Sequence, residues 1–315
     1  MQYQFAENHD LQEQHDRYRL ASLKYIFPIS DIAEICFYAA NSKLTLGREF
    51  ESLQARGKSQ IYSLYTSYAL INEENLTINL NAGIDYKDVI NFQSGAETSR
   101  DRMRILKGGI NWDRTDNNGR TIINNELSFG IPGIWGALGE QDSRASRSGS
   151  GGKFTKNTLD ILRLQKMPFS SLLLIKNQNQ ITPYILTATE QFQLGGIVNV
   201  RGYPSAEFVG DKGSTITGEW SFPPYPVSKT LKVPLSQTTV YDALRFTAFY
   251  DWGNVRRRRP ETGEGKYKTA RSAGLGLRIN LIEDFTARID FAWPIDQTPS
   301  DGHHLHTWIK ISKGF

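Results

Sequence analysis

The sequence predicts an all-β fold, an antiparallel transmembrane β-barrel, and three observations support this prediction. Apolar and polar residues alternate with a period of two in many segments, as in strands with one apolar face. Many of these segments have about ten residues or more, which suits a tilted strand crossing a bilayer better than a soluble strand of about five or six. Short and long connections alternate between the segments, which is typical of outer-membrane barrels.

The composition is compatible with a membrane barrel. Hydrophobic residues make up 39% of the 315 residues, and there is no run of about 18 apolar residues, so the sequence predicts no transmembrane helix. Barrel strands escape this test because their lumen-facing residues lower the average hydropathy. The net charge of +4 is small for this length and does not suggest nucleic-acid binding.

The alternating segments predict about fourteen strands along the chain. They lie near residues 2–7, 17–27, 33–46, 59–71, 76–86, 101–114, 120–131, 153–166, 170–182, 214–224, 244–253, 269–281, 285–293 and 305–315. The residues expected to face lipid include Leu275, Leu277, Ile289, Phe291 and Ile309. Those expected to face the lumen include Arg278, Arg288, Asp290 and Lys310.

The connections between these strands predict which end of the barrel faces the cell exterior. The long loops lie at about 47–57, 132–152, 193–213, 256–268 and 294–304, and they belong to the extracellular end. One long connection, 226–242, falls on the short-turn side and departs from the rule. The loop at 132–152 contains the run SRASRSGSGG, so we expect it to be mobile and solvated.

The loop at 193–213, QLGGIVNVRGYPSAEFVGDKG, is the most informative stretch of the sequence. Its glycines and proline exclude regular structure throughout, and Arg201 stands beside a glycine and an aromatic ring, which suggests a specific partner. Asp251 points to the lumen-facing side of its strand, so a buried ion pair between the two is one interpretation. The alternative is that both charges are simply hydrated.

The residues of this loop and of a later strand carry a resemblance to a known family. The run FQLGGIVNVRGYPSAEFVGDKG resembles the inward-folded loop of two-partner secretion outer-membrane transporters, the haemolysin secretion/activation protein family of the ShlB/FhaC type. The loop motif is Val200, Arg201, Gly202 and Tyr203, and the strand motif that receives it is Phe249, Asp251 and Gly253. Among the last six strands, the loop is placed between the third and the fourth.

The resemblance implies a function and a set of partners. It implies export of a large, unfolded partner polypeptide of the haemolysin or adhesin type across the bacterial outer membrane, without ATP. The expected partners are the secreted polypeptide, outer-membrane lipid and, during biogenesis, the barrel-assembly machinery, which would read Phe315 as an assembly signal. No nucleic acid, cofactor or metal is implied.

The resemblance also implies how much of the family architecture is present. Family members have a signal peptide, a plug helix, two POTRA domains and sixteen strands, whereas about fourteen strands are predicted here. We therefore expect residues 1–315 to be the barrel domain, with the signal peptide, the POTRA domains and the first two strands absent. In the family the POTRA domains recognise the exported partner, so no residue here is assigned to that recognition.

Three other functions are weighed against transport. A barrel-assembly or protein-insertion factor of the same superfamily shares the loop motif, and a soluble β-rich binding protein would share the alternation. An enzyme is not predicted, because no nucleophile motif such as GxSxG is present. His303, His304 and His306 lack further ligands at metal-site spacing, and Cys36 is the single cysteine, so neither a metal site nor an intrachain disulfide is predicted.

Overall fold

A computed structural model describes most of the chain. The described residues are 2–8, 17–45, 54–225, 227, 230–233, 238–260, 263–281 and 285–313, with the side chains of 2–8 and 17 left aside. Phe315 and part of the 47–57 loop lie outside the described residues. Among the residues described, no helix is both long and apolar enough to span a membrane.

Sixteen strands, one short α-helix, α1 (Val240–Ala243), and two 3₁₀ helices, Ile134–Gly136 and Ala188–Glu190, form the described structure. The strands are β1 (Gln2–Asn8), β2 (Arg17–Ser30), β3 (Ala33–Thr45), β4 (Arg56–Glu73), β5 (Leu76–Gln93), β6 (Ala96–Asp116), β7 (Gly119–Gly130), β8 (Phe154–Met167), β9 (Ser171–Ile181), β10 (Phe192–Leu194), β11 (Phe208–Gly210), β12 (Lys212–Phe222), β13 (Leu244–Arg256), β14 (Tyr267–Leu281), β15 (Phe285–Pro294) and β16 (His306–Lys313).

Fourteen of these strands form one sheet whose order follows the sequence from β1 to β16, with only β10 and β11 left out. The ladders with a described register are all antiparallel, and each joins strands that follow one another in the sheet. This confirms the predicted all-β meander and its strand number. The strand β10 pairs with β11 inside the 193–213 loop, and the alternation had not predicted this small second sheet.

The place of the 193–213 loop among the strands differs from the prediction. It connects β9 to β12, which are the first and second of the last six strands in the large sheet, and not the third and fourth. The reason is that four further strands follow β12, each paired with the one before it, so five wall strands come after the loop.

The chain divides into two compact units, and the first comprises Met1–Trp112, Asn124–Thr158 and Ile181–Gln191. Its apolar core joins two residues of β6 to the connection after β7, the start of β8 and the segment after β9. The core residues are Met103, Ile105, Leu138, Phe154 and Leu186.

The loop at 132–152 is predicted from its composition to be mobile, and that prediction is wrong. Ser146 donates from its backbone and its hydroxyl to Asp101 at 2.9 and 2.7 Å, and its hydroxyl accepts from the backbone of Ala188 at 2.8 Å. Arg147 donates to the carbonyl of Leu186 at 2.8 Å. The glycine- and serine-rich composition reflects tight backbone packing, because small residues let two segments approach closely.

A buried carboxylate fixes the segment after β9 in this first unit. Glu190 is 3% exposed and accepts from Lys87 and Lys156, both at 2.6 Å. Burial alone would raise the pKa of Glu190, but the two lysines outweigh it and lower this pKa to about 2. The segment is therefore held by a charged group that stays ionised at all physiological pH values.

The second unit comprises Asp113–Ile123, Leu159–Gln180 and Phe192–Phe315, and its strands show the predicted alternation of faces. Along β13 every second residue from Thr247 to Val255 is buried. Arg278, Arg288 and Asp290 are joined by ion pairs on that same inner face, and Lys310 lines a pocket with Arg288. The residues predicted to face lipid fall on the opposite, outer face, where Leu275, Phe291 and Ile309 are exposed.

Candidate functional site

The 193–213 loop has a defined structure of its own, built around Asn199. The side-chain oxygen of Asn199 accepts from the backbone of Gly195 at 2.8 Å and of Val200 at 2.7 Å. Its amide donates to the carbonyl of Gln193 at 3.0 Å. Gly195 and Gly196 have φ angles of 111° and 97°, which residues with a Cβ rarely adopt. One asparagine and two glycines thus shape the bend that precedes Arg201.

Arg201 enters the inner face of the second unit and meets Asp251. Its Nε and Nη2 each donate to one oxygen of the Asp251 carboxylate at 2.9 Å, and its backbone N–H donates to the same group at 3.1 Å. Both residues are almost completely buried. Paired parallel hydrogen bonds of this kind need the planar guanidinium fork, which lysine lacks.

The pair belongs to a larger charge cluster, formed by six buried or half-buried side chains on the loop and on four wall strands. Arg201 Nη1 also donates to Glu219 at 2.7 Å and lies 3.5 Å from Asp290. The remaining two members are arginines of the wall strands. The full cluster is Arg201, Arg278, Arg288, Glu219, Asp251 and Asp290.

Three cations face three carboxylates in this charge cluster, so its formal charge is zero. Arg278 bridges Glu219 and Asp290, with both distances at 2.7 Å, and Arg288 donates to Asp290 at 2.6 Å. Removal of Arg201 would leave three carboxylates facing two arginines, so the buried cluster would carry an uncompensated negative charge.

Uncharged residues complete the surroundings of Arg201. Its guanidinium carbon lies 3.3 Å from the centre of the Phe249 ring, a cation–π contact inside a desolvated site. The indole of Trp308 donates to the Arg201 carbonyl at 2.7 Å, and the hydroxyl of Ser272 donates to Asp251 at 3.1 Å. The arginine is therefore held through its side chain and its backbone.

Gly202 lies where the loop backbone touches the wall. A Cβ at this position would lie 2.6 Å from the Cβ of Ser272 and 2.8 Å from the backbone nitrogen of Pro294. Gly253 is equally constrained, because a Cβ there would lie 2.3 Å from a methyl group of Leu194. The two glycines allow loop and wall to approach at van der Waals distance.

Val200 and Tyr203 place the loop against an apolar part of the wall. Both are fully buried and share a core with Leu194, Val255 and Ala270. The Tyr203 hydroxyl accepts from the backbone of Gln297 at 3.4 Å, in the connection between β15 and β16.

The structure brings together all the loop and strand residues singled out from the sequence and adds several more. Glu219, Arg278, Arg288 and Asp290 were not assigned to the site. The sequence signal for them was weak: single charges on the polar side of alternating strands, which are usually hydrated. His303 and His306, weighed as metal ligands, both contact Asp301.

One family model matches most of the chain. Residues 2–279 match the model of the family described as haemolysin secretion/activation protein ShlB/FhaC/HecB. The Heme/hemopexin transporter protein HuxB of Haemophilus influenzae is 23% identical over 280 residues, which cover 86% of this chain and 46% of that protein. The chain thus spans about half the length of the curated relatives it matches.

Solved structures share the fold. CdiB from Escherichia coli has a TM-score of 0.73 at 16% identity, with 95% of this chain and 53% of that chain covered. CdiB from Acinetobacter baumannii has a TM-score of 0.72 at 16% identity, covering 95% and 50%. BamA from Haemophilus ducreyi lacking POTRA domains 1–3 has a TM-score of 0.63 at 12% identity, covering 95% and 62%.

Proposed function

The chain belongs to the haemolysin secretion/activation protein ShlB/FhaC/HecB family of outer-membrane β-barrel proteins, and we propose that the full protein exports one large partner polypeptide by two-partner secretion. The partner is of the haemolysin or adhesin type and crosses the outer membrane unfolded, without nucleotide hydrolysis. The observation that carries this proposal is the family match over 2–279, which includes both the 193–213 loop and the strand that receives Arg201.

The site has a role in this proposal. Val200, Arg201, Gly202 and Tyr203 act as a latch that fixes the loop on the inner wall, and Phe249, Asp251 and Gly253 receive it. A buried ion pair contributes little net stability, but breaking one costs much, so it defines one loop position sharply. A loop that fills part of the lumen in one defined position can control passage of a polypeptide.

The proposal also covers the remaining partners and the chemistry. The barrel domain, residues 1–315, contacts outer-membrane lipid and reaches the membrane through the barrel-assembly machinery. We infer that the protein is a transporter without catalytic activity. The name of its relative HuxB, a transporter protein, supports this inference.

A secretion assay with the full-length protein tests the proposal. A host lacking the gene receives either the wild type or the Arg201→Ala variant, together with a candidate partner encoded next to the gene. The partner should reach the cell surface with the wild type and stay in the periplasm without the gene. Arg271→Ala, at an exposed pair with Asp296, is the matched control and should secrete normally. If the partner is exported normally without the gene while other barrels fail to assemble, the protein is an insertion factor and the proposal is wrong.

A further inference from the structure

The outer face of the first unit carries a row of cations near its long-loop end. Arg19 on β2 lies opposite Lys43 on β3, and Lys43 lies opposite Lys58 on β4, so the three share one face. All three are exposed, and we call them the basic row. Arg56, on the same exposed face of β4 as Lys58, extends the patch toward the loop end.

The three cations repel one another, and the contact of Lys58 Nζ with the Phe92 ring, 5.3 Å from its centre, offsets this only for one of them. Like charges directly opposite each other on neighbouring strands destabilise a sheet. Within the described part of the chain, neither Lys43 nor Lys58 has a carboxylate partner. Strands elsewhere in the same unit neutralise their cations, as Lys107 shows with Asp85 at 3.0 Å. The basic row therefore indicates a ligand with negative charge.

The face that bears the basic row is the lipid face. Tyr62 lies four residues after Lys58 on β4, about 13 Å along the strand. Leu64 follows on the same face. The exposed side chains around this point are apolar or aromatic. They are Tyr62, Leu64, Phe37 opposite Leu64, and Leu23 in the same cross-strand row as Tyr62. An aromatic belt below a band of cations marks a membrane interface, and the long-loop end is the extracellular one.

An apolar groove lies in this aromatic belt, below the basic row. Its volume is about 140 Å³, and we call it the outer groove. The apolar side chains that line it are Phe37, Tyr62, Leu64, Ile84, Tyr86 and Trp135. Trp135 is 69% exposed and stands on a tight turn with its own φ at 44°, so the turn projects the indole over the sheet.

Arg104 fixes that turn on the outer face, which gives the groove a rigid wall. It donates to the Trp135 carbonyl at 2.9 Å and to Asp88 at 2.9 Å, and its guanidinium carbon lies 3.2 Å from the centre of the Tyr86 ring. Arg102 approaches the same Asp88 at 3.4 Å, so two arginines share one carboxylate. The belt therefore carries one further uncompensated positive charge beside the groove.

We propose that the basic row and the outer groove together bind lipopolysaccharide, the phosphorylated and multiply acylated glycolipid of the outer leaflet. The phosphates pair with Lys43 and Lys58, and one acyl chain lies in the groove between Trp135 and Tyr62. The vertical order of the two features, cations toward the cell exterior and aromatic groove toward the bilayer centre, is the order of phosphate and acyl chain in that lipid. The groove is continuous with the lipid-facing surface, so the ligand needs no separate path.

The test measures lipid affinity of the purified, delipidated full-length protein. Each lysine beside an anionic lipid surface contributes about five-fold in affinity, so Lys43→Gln with Lys58→Gln should weaken lipopolysaccharide binding about 25-fold. Lys166→Gln with Lys232→Gln is the matched control, because both lysines are exposed and lie away from the basic row, Lys166 near the end of β8 and Lys232 in the connection between β12 and β13. The control should bind like the wild type.

Three further measurements make the proposal falsifiable. Without lipid, the Lys43→Gln and Lys58→Gln double variant should unfold at the same or higher temperature, because repulsion is relieved; a lower temperature would show a purely structural role. Trp135→Ala should weaken lipopolysaccharide binding about ten-fold while leaving inorganic phosphate binding unchanged. Equal affinity of wild type and double variant, or equally tight binding of phosphatidylglycerol nanodiscs, would overturn the assignment. Because the readout is binding, its failure is distinguishable from a failure of export.

Discussion

Replacing Arg201 by lysine tests the charge cluster most directly, because lysine keeps the charge and loses the geometry. The guanidinium makes two hydrogen bonds to Asp251 and one to Glu219, and it stacks on Phe249. A single ammonium cannot make these contacts from one position. We therefore expect Arg201→Lys to be nearly as damaging as Arg201→Ala.

The expected magnitude follows from burial. Removing one partner of a buried ion pair costs about 3–5 kcal/mol, and a desolvated cation–π contact adds up to about 2 kcal/mol. Arg201→Ala leaves three carboxylates facing two arginines, whereas Arg201→Ala combined with Asp251→Ala leaves two facing two. The double variant should thus lose less than the sum of the single variants, with a coupling of about 2 kcal/mol or more.

The assay is urea unfolding of the full-length protein in lipid vesicles, followed by tryptophan fluorescence, together with secretion of the partner. Arg271→Ala, which removes an exposed pair with Asp296, should change the free energy of unfolding by less than about 1 kcal/mol. Additive losses for Arg201 and Asp251, or a lysine variant within about 1 kcal/mol of the wild type, would refute the role assigned to the guanidinium fork.

Three further predictions concern other parts of the chain. Gly202→Ala should displace the loop and cost about 1–3 kcal/mol, since its Cβ would meet a side-chain carbon at 2.6 Å, whereas Gly218→Ala meets nothing within 4 Å and should be nearly neutral, as unfolding in urea would show. Leu275→Lys on the outer face should cost about 2–4 kcal/mol, and Leu174→Lys, opposite Glu219 on the inner face, far less; equal costs would contradict the assigned faces. Glu190 has its pKa lowered from 4.5 to about 2, so its stabilisation of about 3 kcal/mol is present above pH 4.5 and lost as the pH falls toward 2; Glu190→Gln should remove this pH dependence.

The sequence by itself determined the fold class and the strand positions of the large sheet, and it offered the pairing of Arg201 with Asp251 as one of two interpretations. Strand alternation is a local pattern of period two, so it can be recognised without knowledge of the partners of each strand. A glycine-flanked arginine in a long loop and an acid on the polar side of a strand are also local signals. Together they suggested that the two residues meet, and Arg201 Nη2 lies 2.9 Å from Asp251 Oδ1 in the structure.

Only the tertiary structure decided which other charges join them and which surfaces the sheet creates. Glu219, Arg278 and Asp290 lie on different strands, and the cross-strand register that brings them together is set by pairing over the whole sheet. The same holds for the basic row, since Lys43 and Lys58 become neighbours only through that register. The hydrogen-bonded structure of the 131–153 connection could not be predicted for a related reason. Its hydrogen-bond partners are distant in sequence, so they are known only from the folded chain.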